Sequence, residues 1–79
     1  MFGHALREIR EEHDISQERL ALEAGFDRTF VSLLERGLRS PTIRTVVKLA
    51  EVLKVKPSAI IQRMETLLAK ERRERKKPD

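Results

Sequence analysis

Residues 15–41 read ISQERLALEAGFDRTFVSLLERGLRSP, and the helical pattern they carry is interrupted in the middle. Leu20, Ala21 and Ala24 share one helical face before the break at AGFD, and Val31 and Leu34 share one after it. Ser16 is placed to cap the first of these helices through its hydroxyl, although Arg19 stands where a full capping box has Glu or Gln. Gly25 ends that helix most simply by taking positive φ. Asp27 is placed to cap the next helix, and Gly37 to end it. Helices this short are marginal in isolation, so each must bury its apolar stripe on a neighbour. The break therefore restricts the chain to folds in which two short helices cross at a tight turn.

The flanking sequence supplies the neighbours. A first helix is expected from Phe2 to His13, with Phe2, Ala5, Leu6 and Ile9 on one side and Asp14 as a left-handed terminator. LRSP forms a loop closed by Pro41, and Thr42 caps a fourth helix from about Ile43 to Lys54. Its inward face reads Ile43, Val46, Leu49, Ala50 and Leu53. Pro57 fits the first turn of a fifth helix, where its missing N–H costs nothing. No strand, repeat or linker is legible. The expected fold class is all-α, a compact five-helix bundle, with a domain over residues 1–69 and a basic tail over 70–79. The tail, KERRERKKPD, reads as a frayed continuation of the fifth helix that adds phosphate attraction or solubility.

Composition narrows the function classes. A chain of 79 residues buries only about 60% of its unfolded surface, too little to enclose a substrate as well as a core. With no cysteine, disulfides and thiolate metal sites are excluded. The apolar runs fall far short of the ~20 residues that cross a bilayer, and MFGHALREIR has no signal core. A cytoplasmic protein with no membrane partner is expected. There is no Gly-rich phosphate loop and no His/carboxylate cluster, and neither His4 nor His13 has a second ligand at metal spacing. An enzyme is not expected, nor a metal, cofactor or small-molecule ligand. The net charge of +4 is unevenly spread: residues 7–23 sum to −3, residues 28–48 to +4 and residues 70–79 to +3. A one-sided basic surface attracts polyphosphate.

Ala21, Gly25 and Val31 have the order and spacing of a helix-turn-helix: a small residue at the crossing, a glycine turn, and an apolar residue that locks the angle. Leu20 and Leu34 complete the wedge. Such a unit, here about residues 16–37, offers the N-terminal half of its second helix to a major groove ~12 Å wide. The surrounding residues resemble the Cro/phage-repressor family of DNA-binding domains, also called the xenobiotic-response-element family, over about residues 3–61. The matching positions are Arg10, Ser16–Glu18, Leu20–Ala21, Ala24–Gly25, Val31–Ser32, Glu35–Gly37, Pro41 and Leu49–Val55. DRTFVS further resembles the controller proteins of restriction–modification systems. Asp14 departs from the family by replacing a common glycine, and Leu33 by standing where a polar base reader is common.

The resemblance implies roles for these residues. Arg28, Thr29, Ser32 and Leu33 would face bases: Arg28 a guanine, Thr29 and Ser32 a base edge or the backbone, Leu33 a thymine methyl. Gln17, Arg36, Arg39, Ser40, Thr42 and Arg44 would contact phosphates, which fixes register without reading sequence. Phe30 has three open readings: the sugar–phosphate edge, a partner subunit, or a cover for the core. Arg10 and Glu35 would form a structural ion pair between the first and third helices. Ile60, Ile61, Met64, Leu67 and Leu68, in a dimerisation helix over about 57–69, exceed what a small monomer needs and are expected to form a two-fold interface. The expected partners are double-stranded DNA and a second copy of the chain. A near-palindromic operator and a transcriptional regulator follow from that reading. The rival reading is a protein–protein adaptor or antitoxin-like partner that keeps the fold without reading DNA.

Overall fold

A computed structural model of the chain describes residues 1–75. Among them lie five helices in the order α1 (Phe2–Glu12), α2 (Gln17–Ala24), α3 (Arg28–Glu35), α4 (Ile43–Leu53) and α5 (Pro57–Arg75), with no strand. The fifth helix thus runs six residues into the basic tail, whose last four residues lie outside the described ones.

Local chemistry sets the boundaries. The Ser16 hydroxyl accepts the Arg19 amide at 3.0 Å, and Thr42 Oγ1 accepts the Thr45 amide at 3.1 Å. Asp27 occupies the cap position of α3 in extended conformation, but its carboxylate makes no capping hydrogen bond. At the C-terminus of α2, Gly25 at φ 78° lets the Phe26 amide reach back to the Ala21 carbonyl at 2.8 Å. Gly37 at φ 75° does the same after α3, where the Leu38 amide donates to Leu33 at 2.9 Å. Asp14 at φ 53° and Lys54 at φ 58° hold the same left-handed position after α1 and α4 without being glycine. Asp14 is thus the terminator its place in the sequence predicts.

The core takes residues from every helix. Leu6 of α1, Leu20 of α2, Val31 and Leu34 of α3, Leu49 and Leu53 of α4 and Ile60 of α5 are fully buried. Helix α1 packs on α3 and α5, α2 on α3 and α4, and α4 on α5. Gly3 is buried where α1 crosses the end of α3: any β-carbon there would collide with the Leu34 and Glu35 carbonyl oxygens. Across the α1–α5 face, Arg63 donates to Glu8 at 3.1 Å and to Glu12 at 2.7 and 3.0 Å. Those hydrogen bonds lower the Glu12 carboxyl below its ordinary range and raise the Arg63 guanidinium.

Two expectations about buried faces are corrected. Ile43 does not point inward but is 84% exposed, and Thr45 is buried in its stead. Ile60 is no interface residue: it is wholly inside the core, and Met64 and Leu67 pack against that core as partly buried neighbours. The stripe 60/64/67 lies at i, i+4, i+7 spacing and faces the core. Ile61 and Leu68 fall about a quarter-turn around the helix, and Ile61 is the large apolar side chain of α5 left exposed. Periodicity identifies a buried face without saying whether the chain itself or a second copy buries it.

Candidate nucleic-acid interface

Helix α3 has only eight residues, and its inner face is used up by Val31, Leu34 and Glu35. The rest of its surface forms a ridge with two flanks of different chemistry. On one flank, Arg28, Ser32 and Arg36 repeat at four-residue spacing and line an open groove with Ser16 and Gln17 of the α2 terminus and Arg7 of α1. On the other, Thr29, Phe30 and Leu33 line a second groove with Phe26 and Arg39.

The polar flank rests on a hydrogen-bonded network. Arg10 Nε and Nη2 donate to the two Glu35 carboxylate oxygens at 2.6 and 3.0 Å, a fork-on-fork pair. A third bond runs from Arg10 Nη1 to the Ile15 carbonyl at 2.9 Å, and Gln17 Nε2 donates to Glu35 Oε1 at 2.8 Å. The side chains of Arg10 and Glu35 are 11% and 2% exposed, so the charges have little water of their own and depend on each other. Hydrogen bonding to Glu35 raises the Arg10 guanidinium further, outweighing the opposing effect of burial. One guanidinium thereby ties α1, the α1–α2 loop and the end of α3, with α2 joined through Gln17.

The apolar flank is held by stacking. Phe26 and Phe30 meet with ring centroids 5.1 Å apart and planes tilted by 56°. The Arg39 guanidinium lies 5.7 Å from the Phe30 centroid, and Lys48 Nζ 5.7 Å from that of Phe26. Both rings also pack against the core.

The residues singled out in the sequence divide accordingly. Arg28 and Thr29 are exposed at the entrance of α3; Ser32 and Leu33, one turn on, are half-buried. Leu33 forms part of a groove wall. Arg36, Arg39, Ser40, Thr42 and Arg44 are exposed along and beyond the α3–α4 loop. The Thr42 hydroxyl already serves as a helix cap, and Gln17 commits one amide hydrogen to Glu35, which leaves its second for an anion. Of the three readings of Phe30, its packing fits the cover for the core. Sequence reasoning missed Arg7, counted there only as a charge of an acidic segment. Its three-residue spacing from Arg10 was the available signal. Phe26 and Lys48 were missed as well: Phe26 lies just before α3 and outside its helical face, and Lys48 reaches Phe26 from another helix, α4.

No described helix is long and apolar enough to cross a membrane, and no group of three or more His, Asp or Glu among the described residues is placed to hold a metal ion. Two short helices crossing at Gly25, with an accessible ridge beyond, match a known family pattern: the helix-turn-helix pattern fits residues 6–60. The chain is 36% identical over 62 residues to the control protein C.BamHI of Bacillus amyloliquefaciens, covering 77% of this chain and 76% of that protein. The chain belongs to the helix-turn-helix family. Among solved structures of such proteins, it is similar to the restriction–modification controller protein C.AhdI of Aeromonas hydrophila. That similarity has a TM-score of 0.73 and 41% identity, over 75% of this chain and 89% of that one. It is also similar to SinR, a master regulator for biofilm formation solved in complex with DNA, with a TM-score of 0.73 and 31% identity. There the match covers 77% of this chain and 98% of SinR.

Proposed function

We propose that this helix-turn-helix protein is a sequence-specific transcriptional regulator that lays α3 in the major groove of duplex DNA. The observation that carries this reading is the α3 ridge itself. Arg28, Thr29, Ser32 and Leu33 line its two flanks, on a helix fixed from below by the Arg10–Glu35–Gln17 network. In this reading Arg28 donates to guanine O6 and N7, Thr29 and Ser32 contact base edges or backbone, and Leu33 lies against a thymine methyl. Gln17, Arg36, Arg39, Ser40, Thr42 and Arg44 engage phosphates, joined by Arg7 on the rim of the polar groove. The DNA complex of SinR supports the partner. The likeness to C.BamHI and C.AhdI supports a narrower role as a restriction–modification controller, and neighbouring genes for an endonuclease and a methyltransferase are its test.

The regulator acts in the cytoplasm as a homodimer on a near-palindromic site, its two recognition helices entering successive grooves ~34 Å apart. The exposed Ile61 and half-buried Leu68 are the part of the α5 stripe available to a second copy. Ile61→Glu should yield monomers by sedimentation and weaken binding to a two-half-site duplex, whereas full affinity from a proven monomer rules the dimer out.

Selection of bound sequences from random duplexes tests the central reading. A consensus should emerge for the native chain and vanish for the triple alanine variant at Arg28, Thr29 and Ser32, with the helical signal unchanged. No consensus from the native chain favours the adaptor instead.

A further inference from the structure

Arg39 is exposed on the loop after α3, and a long side chain in such a place ordinarily samples many rotamers. Here it lies over a ring. Phe30 belongs to α3, its ring is backed by Phe26, and both pack against the core, so the face under the guanidinium is supported from behind. Lys48 sits over the other ring, so the four side chains form a file of cation, ring, ring, cation beside the flank of Thr29 and Leu33. Each cation can rest on a ring face and keep its N–H donors free, because the attraction comes from the π-cloud and not from a hydrogen-bond acceptor.

We infer that Phe30, backed by Phe26, is a positioning residue for DNA binding: it touches no nucleotide and holds Arg39 poised at the apolar flank of α3 before the duplex arrives. The inference rests on the DNA-binding reading above and adds a mechanism to it. A preorganised arginine loses less freedom when it meets a phosphate, so the ring contributes affinity without contributing charge. Phe30 also stands between Thr29 and Val31, so its own place on α3 sets Arg39 in register with the reading side chains.

Two measurements separate this mechanism from the reading it rests on. The first uses the protein alone. Arg39 δ-protons should show upfield ring-current shifts that disappear in Phe30→Leu and persist in Phe30→Tyr; unshifted protons in the native chain overturn the stack. The second is a double-mutant cycle on a mixed-sequence duplex at low ionic strength, with melting temperature recorded for each variant to correct for folded fraction. Arg39→Ala should weaken binding and reduce the salt slope by about 0.9. Phe30→Leu should weaken binding about two- to five-fold with the slope retained, the effect expected of an exposed cation–ring contact. In the Arg39→Ala background, Phe30→Leu should have no further effect, and Phe30→Tyr should bind as the native chain does. An equal loss from Phe30→Leu in both backgrounds overturns the positioning role. A native chain that binds no duplex overturns the DNA reading instead, and the ring-current result then stands as a purely structural contact.

Discussion

The two flanks of α3 are built on opposite principles. The polar flank is underlain by directional bonds, with Arg10, Glu35 and Gln17 at hydrogen-bond distance and the ion pair nearly dry. The apolar flank is underlain by ring faces, whose attraction varies slowly with angle. The difference teaches a division of labour. In the proposed reading Arg28 presents a directional fork to a guanine, and it lines, with Ser32, the groove that the Arg10–Glu35–Gln17 network underlies. The contacts proposed for Leu33 and Arg39, with a methyl and a phosphate, are less directional, and these residues line the groove walled by the two rings.

The largest expected effect comes from removing the charge under the polar flank. Glu35→Gln leaves the Arg10 guanidinium buried without its counter-ion, a loss of about 3–5 kcal/mol by the usual cost of breaking a buried pair. Denaturant unfolding should register it, and a midpoint near native would mean that the flank is not held as described. Gly3→Ala is next, since it forces α1 away from the α3 carbonyls. Overpacking of this kind costs about 1–3 kcal/mol, read as a lower melting temperature with both flanks disturbed together.

Effects of similar or smaller size separate the flanks on DNA. Arg28→Ala should cost about 1–3 kcal/mol at one base position and relax specificity there alone, measured on single-substitution duplexes. On the other flank, replacing thymine by deoxyuridine should weaken the native chain and leave Leu33→Ala indifferent. If deoxyuridine is equally harmful to both, Leu33 does not read the methyl.

The smallest effect lies away from α3, at the α1–α5 face. Glu12 has its folded value lowered by Arg63, so the pair stabilises the fold above the ordinary carboxylate range. That contribution is lost as pH falls through the lowered value. Melting temperature should therefore fall slightly more on the acid side in the native chain than in Arg63→Met, and parallel acid limbs would show the clamp to be idle.

Most of the helical architecture was legible, because caps and terminators are local chemistry. Ser16, Thr42, Gly25 and Gly37 announce their roles within four residues, and the observed boundaries follow them. The ridge residues Arg28, Thr29, Ser32 and Leu33 were legible through the resemblance to the Cro/phage-repressor family and not through local chemistry alone. What escaped depends on three-dimensional placement. Ile43 carries the right hydrophobicity at the start of α4, yet lies on the water side of the first turn. Ile60 fits an interface stripe as well as a core stripe, and only the packing of α5 on α1 and α4 decides between them. In the Arg39–Phe30–Phe26–Lys48 file only the two rings are near in sequence; the contacts of Arg39 and Lys48 cross from other segments, and no local pattern encodes them.

The Glu35 anchorage grips α3 by its last turn, while the first turn begins at an Asp27 that makes no capping hydrogen bond and leads straight into exposed Arg28 and Thr29. The scaffold thus clamps its reading head by the handle and leaves the tip unencumbered. Exchanging the amino acids at 28, 29 and 32 should redirect this protein to new operators while the bundle beneath folds as before.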